Sequence, residues 1–253
     1  MSSAGPVPDH DQPQGAQLAS ALLGVADPGP LLTAGDSADV FAVDDHLVLR
    51  RYRTGRDACN EAAIVRHVVA NGYPAPAVHA AGGTDIVMER LHGPTLLQSL
   101  TAGETSIHDA AAILADLHAR LHALPLPTDW EGPTDGDAIV HLDLHPGNVI
   151  LTEAHGPAVV DWCDSRIGRA EVDVALSALI VAEVAADAGG LYSHAARATL
   201  AAFLAAVDVD VVAGLDEAAA VRANDPALVA GERDLVPVAA ALVRELVALA
   251  TPS

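Results

Sequence analysis

The chain has 253 residues, enough to bury a sizeable core in one large domain or in two lobes, and 51% of them are hydrophobic. Its net charge of −21 argues against nucleic-acid binding through a basic surface, and the lack of any apolar run of about 18 residues argues against a transmembrane helix. All 13 basic residues are Arg, which excludes a Walker A P-loop because that motif needs its Lys.

The N-terminal segment and the cysteines indicate the cellular compartment. Residues 1–15 lack the basic and apolar regions of a signal peptide and are typical of a flexible leader. Cys59 and Cys163 are too few for a disulfide framework, so a reducing cytoplasm is predicted. The acidic charge would attract cationic small molecules, although solubility or a salty cytoplasm explains it equally well.

The first part of the chain predicts a small sheet with one long helix. A short helix over 16–25 is followed by strands at 31–33, 40–43, 46–52, 78–81 and 85–89. Apolar positions at helical spacing predict a helix over 56–70, ended by Asn71-Gly72. Alternation along the third strand places Arg50 on one face and Arg51 on the other, where a surface charge is expected.

The rest of the chain is predicted to be mainly helical. Helices are expected over 94–100, 105–124, 170–186, 191–207, 211–224 and 233–250. His118 and His122 lie four residues apart on the second of these, but no Glu follows His118 as a zinc-protease motif requires. We therefore interpret both as packing histidines. Residues 125–137 are read as a linker and 165–169 as a loop.

The stretch 139–164 contains the side chains best suited to catalysis or metal binding. Apolar runs at 149–151 and 158–160 flank the turn signal at 153–157, which predicts a two-stranded hairpin. A hairpin of this length puts both strand ends on one side, so Asp143 and Asn148 would lie close to Asp161. Carboxylate and amide oxygens that converge in this way suit Mg²⁺, which also takes ligands from substrate phosphates.

A metal hydrolase is the rival interpretation of the same stretch. Three residues alternate and would share one face of a strand: His141, Asp143 and His145. Pro146-Gly147 directly after them favours a loop instead, and the hydrolase leaves the Asp161-Trp162 pair unexplained. In the loop, His141 is expected to make an orienting hydrogen bond.

The spacing His141-x-Asp143-x-x-x-x-Asn148, followed by Asp161-Trp162, resembles the aminoglycoside phosphotransferase and choline kinase-like families. These are small-molecule kinases in which Asp-Trp replaces Asp-Phe-Gly. The resemblance implies an α+β, two-lobed protein-kinase-like fold, with a small, mainly antiparallel β N-lobe that carries one helix and a larger helical C-lobe. It also implies a nucleotide-binding lobe over 16–90 and a catalytic and substrate lobe over 91–253, with ATP and Mg²⁺ between them.

The resemblance assigns roles to single residues. Asp143 is the expected catalytic residue, which orients a substrate hydroxyl and accepts its proton, while Asn148 and Asp161 hold Mg²⁺. Asp173 stands where an Asp braces the catalytic loop in these families. ATP, or another nucleoside triphosphate, is expected to contact Ser37 in the phosphate loop, Arg50 in place of the strand Lys, its partner Glu61, and Met88, Glu89 and Leu91 at the hinge.

The predicted function is ATP- and Mg²⁺-dependent transfer of the γ-phosphate to a hydroxyl of a small molecule, aminoglycoside-like or another amino or hydroxyl compound. Asp164 would lie beside the acceptor groove and pair with an amine. The alternative interpretation, that Asp164 only caps the following loop, explains its position equally well. No nucleic-acid or membrane partner is expected, and the sequence leaves the oligomeric state unknown. A nucleotide-binding pseudokinase or a partner-binding module is the non-enzyme alternative.

Overall fold

The computed structural model describes residues 20–35, 37–187, 190, 192–226, 228 and 230–250. The predicted leader lies outside the described residues, as does the first part of the helix predicted over 16–25; in its described part that helix ends at Ala21. The chain forms two compact units. One comprises the described residues up to Ala62 together with Ala77–Arg90, and the other comprises Ala63–Pro76 together with the described residues from Leu91 onward. The functional division at residue 90 stays a prediction.

The first unit is built on an antiparallel sheet with the spatial order β1-β2-β3-β5-β4. Its strands are β1 (Leu31–Ala34), β2 (Ala38–Ala42), β3 (Leu47–Tyr52), β4 (Val78–Gly82) and β5 (Asp85–Glu89). Asp44 reverses the chain between β2 and β3, because its side chain accepts the N–H groups of His46 and Leu47. Helix α1 (Cys59–Ala70) follows β3, and its first turn belongs to this unit.

β3 lies in the middle of the sheet, with hydrogen-bonded neighbours on both sides. Leu49 is fully buried and pairs with Val87 of β5 in the core. The structure corrects the expectation for Arg51, which is not simply a surface charge. Its Nε and Nη2 donate to the two carboxylate oxygens of Asp85, directly opposite on β5, at 2.7 Å each. A planar guanidinium fork matches a carboxylate in this two-point geometry.

The second unit is mainly helical. Its helices are α2 (Leu96–Ala102), α3 (Ile107–His122), α4 (Ala170–Ala186), α5 (Ser193–Ala206), α6 (Val211–Ala223), α7 (Ala230–Arg233) and α8 (Val236–Ala250). Apolar residues line every side of α4, and α5, α6 and α8 pack around it. The helix predicted over 233–250 is found as α8, but it begins at Val236 and not at Arg233. Pro237 has no N–H and lies in the first turn of α8, where this is tolerated, whereas in a helix that continued from Arg233 its ring would clash with the Arg233 carbonyl.

Short strands hold the middle of the second unit: β6 (Ala138–Val140), β7 (Val149–Thr152), β8 (Gly156–Val159) and β9 (Arg166–Gly168). β7 and β8 form the predicted hairpin. β9 corrects the loop predicted over 165–169, since it pairs antiparallel with β6. Three residues are too few to show strand periodicity in a sequence. Within the described residues, no helix is long and apolar enough to cross a membrane.

Candidate active site

A buried carboxylate in the first turn of α4 holds the loop between β6 and β7. Asp173 is fully buried, and its oxygens accept the N–H groups of Leu142 at 2.7 Å and His141 at 3.2 Å. Leu142 has φ of 66°, a left-handed conformation that costs a non-glycine residue free energy and persists only where its surroundings enforce it. Asp173 therefore fixes the loop immediately before Asp143. The brace that the resemblance implies is present.

Two histidines of α3 reach the same carboxylate. His122 Nε2 lies 2.8 Å from Asp173 Oδ2, and His118 Nδ1 lies 3.4 Å from it. Burial works to raise the pKa of Asp173, but the hydrogen bonds and charges of the two histidines hold it well below its usual range. Both histidines pack inside the unit, as expected, and they also keep Asp173 ionised. Sequence reasoning missed this second role because 51 residues separate His122 from Asp173.

His141 makes the orienting hydrogen bonds expected of it. Asp143 N–H donates to His141 Nδ1 at 3.2 Å, and His141 Nε2 lies 3.1 Å from the carbonyl oxygen of Val160. Its ring also packs against Trp162, with 4.8 Å between centroids. Burial lowers the pKa of His141. Both ring nitrogens are committed to hydrogen bonds, which contradicts the metal-ligand role that the hydrolase interpretation needs.

Asp143 and Asn148 lie in direct contact. The amide Nδ2 of Asn148 donates to the backbone oxygen of Asp143 at 2.9 Å and to its carboxylate Oδ2 at 2.8 Å. The Asn148 side-chain oxygen is then the atom with lone pairs to offer a cation. Asn148 also accepts the N–H of Val160 through its backbone oxygen at 2.9 Å, which ties it to the residue before Asp161.

Negative charge accumulates around Asp143. Burial, and after it the charge of Asp161, raise the pKa of Asp143 to about 7, although the Asn148 hydrogen bond works in the opposite direction. Asp164, which is exposed, acts in the same direction as Asp161. Asp161 itself has φ of 62°, so the backbone is strained at the end of the hairpin as well. The structure thus brings together the four acidic and amide residues singled out in this part of the sequence.

This group of oxygens fits a divalent cation. The raised pKa of Asp143 reflects repulsion between it and the neighbouring carboxylates when they are ionised, and a bound cation would relieve that repulsion. Asn148 and Asp161 supply oxygen donors of the kind that Mg²⁺ takes from proteins. His145 is poorly suited to bind a softer metal ion at this site, because its Nδ1 already accepts the N–H of Gly147 at 3.1 Å.

In the first unit, β3 and α1 bring together three of the predicted nucleotide-binding residues. Arg50 Nη1 donates to Glu61 Oε2 at 2.5 Å, and these side chains are only 7% and 3% exposed. Arg50 Nη2 lies 3.4 Å from Ser37 Oγ. The Glu61 carboxylate offsets the cost of burying the charged guanidinium, because the two groups lie within hydrogen-bond distance.

One contributor to this cluster is missing from the sequence analysis. Tyr52 lies two residues after Arg50, on the same face of β3, and its hydroxyl donates to Glu61 Oε2. The Arg50 guanidinium carbon lies 4.8 Å from the centre of the Tyr52 ring. The period-two alternation that assigns Arg50 its face is the signal that could have identified Tyr52.

The predicted hinge residues fall at the end of β5 and just beyond it. Met88 is buried, whereas Glu89 and Leu91 are half-buried. Glu89 is bonded twice to Ala77, since its N–H donates to the Ala77 oxygen at 2.8 Å and its Oε2 accepts the Ala77 N–H at 3.1 Å. These bonds fix the direction of the chain as it leaves β5.

The model of the phosphotransferase enzyme family matches residues 30–138 and 133–207, well over half of the chain. No curated protein sequence matches this chain. Among solved structures, the gentamicin complex of aminoglycoside phosphotransferase APH(2″)-IIa is similar with a TM-score of 0.57 and 13% identity, covering 93% of this chain and 98% of that chain. A choline/ethanolamine kinase family protein from Mesorhizobium loti gives a TM-score of 0.53 and 15% identity, covering 93% and 95%.

A thermostable mutant of aminoglycoside phosphotransferase APH(4)-Ia in its apo form gives a TM-score of 0.55 and 15% identity, covering 88% of this chain and 95% of that chain. At such identities the likeness establishes the fold, and the predicted α+β fold of protein-kinase type is confirmed. The family match adds the activity class. The chain belongs to the phosphotransferase enzyme family, and it is a small-molecule kinase.

Proposed function

We propose that the protein transfers the γ-phosphate of ATP, with Mg²⁺, to a hydroxyl group of a small molecule. One observation carries this proposal: the loop braced by Asp173 holds Asp143 against Asn148, beside the charge of Asp161. A proton acceptor and two oxygen donors for a cation are what phosphoryl transfer asks of a protein, because its catalysis consists mainly of positioning and charge stabilisation.

Asp143 is proposed to orient the acceptor hydroxyl and to accept its proton. Its side chain is 31% exposed, so a substrate hydroxyl can reach the carboxylate. The two backbone anchors from Asp173 keep it in place without using its own oxygens.

Asn148 and Asp161 are proposed to hold Mg²⁺. When bound, the cation neutralises the charge that develops on the phosphate oxygens. The β7–β8 hairpin and the hydrogen bond between Asn148 and Val160 fix the backbone at both residues. The positions of the two side chains therefore do not depend on a long loop. The strained φ of Asp161 is consistent with a functional constraint at this residue.

Three residues of the first unit are proposed to bind the phosphate chain. Arg50 would grip phosphate oxygens with its fork, Glu61 would keep the guanidinium in place, and Ser37 would add a hydroxyl donor. Met88, with the backbone of Glu89 and Leu91, is proposed to bind the adenine ring. The Glu89 N–H already donates to Ala77 and is therefore not available to the adenine ring.

The acceptor is proposed to carry an amine. The chain is strongly acidic, and Asp164 is an exposed carboxylate within electrostatic range of Asp143. Structures of similar fold include complexes with gentamicin, with streptomycin and ATP, and with ADP and spectinomycin. An exposed carboxylate beside the base would attract the ammonium group of such a compound to the reacting hydroxyl.

A screen of acceptors tests the proposal. Purified full chain is incubated with ATP and Mg²⁺ and a library of hydroxyl compounds, half with amines and half neutral or anionic, and products are detected by the mass of an added phosphoryl group. We expect amine-bearing compounds to be phosphorylated, and Asp143→Asn to abolish the product. Tight binding of Mg²⁺ and ATP without transfer to any compound would instead favour the pseudokinase.

A further inference from the structure

Tyr52 contacts both members of the Arg50–Glu61 pair. It is only 3% exposed, and its hydroxyl donates to Glu61 Oε2, the same oxygen that accepts the hydrogen bond from Arg50 Nη1. Its ring lies beneath the Arg50 guanidinium, 4.8 Å from Cζ to the ring centre, within the range of a cation–π contact. Arg56 adds a second guanidinium carbon 5.5 Å from the same ring.

These contacts matter because residue 50 is an Arg, whose guanidinium group is planar. A Lys ammonium is a compact point charge and needs only a position, whereas the planar guanidinium of Arg50 must also be held at the correct rotation. Glu61 and Ser37 contact the two terminal nitrogens of that group, and the Tyr52 ring lies against its central carbon. The Tyr52 ring restricts the plane of the guanidinium, and the Tyr52 hydroxyl restricts the carboxylate that holds it.

The protonation state of Tyr52 is suited to this task. Burial raises the pKa of Tyr52, and the negative charge of Glu61 raises it further. The phenol therefore remains protonated at neutral pH and acts as a donor. A Phe at this position would fill the same space and keep the ring contact, so the hydroxyl is needed only for what it does to Glu61.

We propose that Tyr52 is a positioning residue for the nucleotide phosphates, because it fixes the Arg50 guanidinium with Nη2 directed towards Ser37. This inference rests on the proposed function, in which Arg50 binds phosphate oxygens. Tyr52 acts through Arg50 and Glu61 and need not touch the nucleotide itself.

Tyr52→Phe in the full chain tests the inference. Affinities for ATP with Mg²⁺ and for adenosine are measured by calorimetry, with the melting temperature as a check of folding. We expect Tyr52→Phe to weaken ATP binding by about tenfold, the usual scale for one hydrogen bond to a charged group. Adenosine binding should not change, because adenosine carries no phosphate.

Tyr73→Phe is the matched control. Tyr73 is also 3% exposed, and its hydroxyl donates to the backbone oxygen of Leu117 at 3.1 Å. The control therefore loses one buried phenol hydrogen bond without altering Arg50, and both affinities should stay within twofold of the unchanged protein, roughly the scatter of such measurements. Equal losses of ATP and adenosine affinity in Tyr52→Phe, or no loss, would show a purely structural role and overturn the inference.

Arg50→Gln separates this inference from the proposed function. Unchanged ATP affinity in Arg50→Gln would refute the phosphate role of Arg50, and the inference about Tyr52 with it. If Arg50→Gln weakens ATP binding and Tyr52→Phe does not, only the inference fails. In the double variant, Tyr52→Phe should add no further loss to Arg50→Gln, since Tyr52 acts through Arg50; additive losses would contradict that route.

Discussion

Asp173→Asn should loosen the loop between β6 and β7 and destabilise the whole chain. Asp173 is fully buried and accepts hydrogen bonds from the backbone of His141 and Leu142, and it pairs with His122 at 2.8 Å. Asn has the same shape, but its NH₂ group would face a donor on one side. At least one N–H of the loop or one histidine then loses its partner in the interior.

The size of the effect follows from that burial. Breaking a buried, hydrogen-bonded charge pair by removing one partner costs about 3–5 kcal/mol. For a chain of this length, about 2–4 °C of melting temperature are lost per kcal/mol, so we expect a fall of about 6–20 °C at pH 7. Turnover per folded molecule should fall as well, because Leu142 loses the contact that enforces its φ of 66°.

The effect should depend on pH in one direction. The folded pKa of Asp173 lies well below its ordinary value, so its ionisation stabilises the folded protein fully above about pH 5, where the unfolded chain is ionised as well. As the pH falls further, the unfolded chain takes up the proton first, and this contribution is lost on the way to the folded pKa. The gap in unfolding free energy between unchanged protein and Asp173→Asn should therefore narrow steadily as the pH falls below about 5.

Urea unfolding at several pH values, followed by tryptophan fluorescence, measures that gap. Asp116→Asn is the control: Asp116 lies on α3, its side chain is 64% exposed, and its contact with Arg120 is 3.5 Å. An exposed pair of this kind contributes at most about 0.5 kcal/mol. If the unfolding free energy of Asp173→Asn lies within about 0.5 kcal/mol of that of the unchanged protein at pH 7, the contacts of Asp173 do not stabilise the fold as proposed.

Three further predictions concern the phosphate, acceptor and loop contacts. Arg50→Lys keeps the charge but loses the fork, so the KM for ATP should rise by about tenfold in steady-state assays, and an unchanged KM would contradict the phosphate role. Asp164→Asn should raise the KM for an amine-bearing acceptor, and not that for ATP, with the difference shrinking as salt screens the pair; equal changes in both would count against it. Gly93→Ala should destabilise the chain by about 1–3 kcal/mol or more in urea unfolding, because φ is 147° and an added Cβ would lie 2.0 Å from the Leu151 oxygen; normal stability would refute this.

Periodicity in the sequence predicted most of the helices and strands, whereas the fold itself was predicted from the resemblance to a known family. The hairpin of β7 and β8 and the limits of α4 follow from apolar runs bounded by turn residues. β9 was not predicted, because three residues are too few to show the alternation of a strand. Its pairing with β6 depends on contacts between residues about 28 positions apart in the chain. The start of α8 at Val236 is consistent with Pro237 in its first turn, a local signal that could have been used to place this boundary.

The candidate site divides in the same way. The loop spacing and the hairpin geometry predicted that Asp143, Asn148 and Asp161 would converge. The partners that hold them were not visible, because His122 reaches Asp173 across 51 residues and no local pattern links them. Tyr52 shares a strand face with Arg50, yet its function depends on Glu61 of the following helix. Tertiary packing, and not propensity, makes these contacts.

Transfer of a phosphoryl group by Asp143→Asn is the measurement that tests the central claim most directly. The substitution keeps the shape of the side chain and an oxygen for the Asn148 hydrogen bond, so fold and ATP affinity should be retained. Turnover with an accepted hydroxyl compound should fall by about 10²–10⁴-fold, the usual contribution of a general base. A folded Asp143→Asn protein that binds ATP and transfers phosphate at nearly the normal rate would contradict the account.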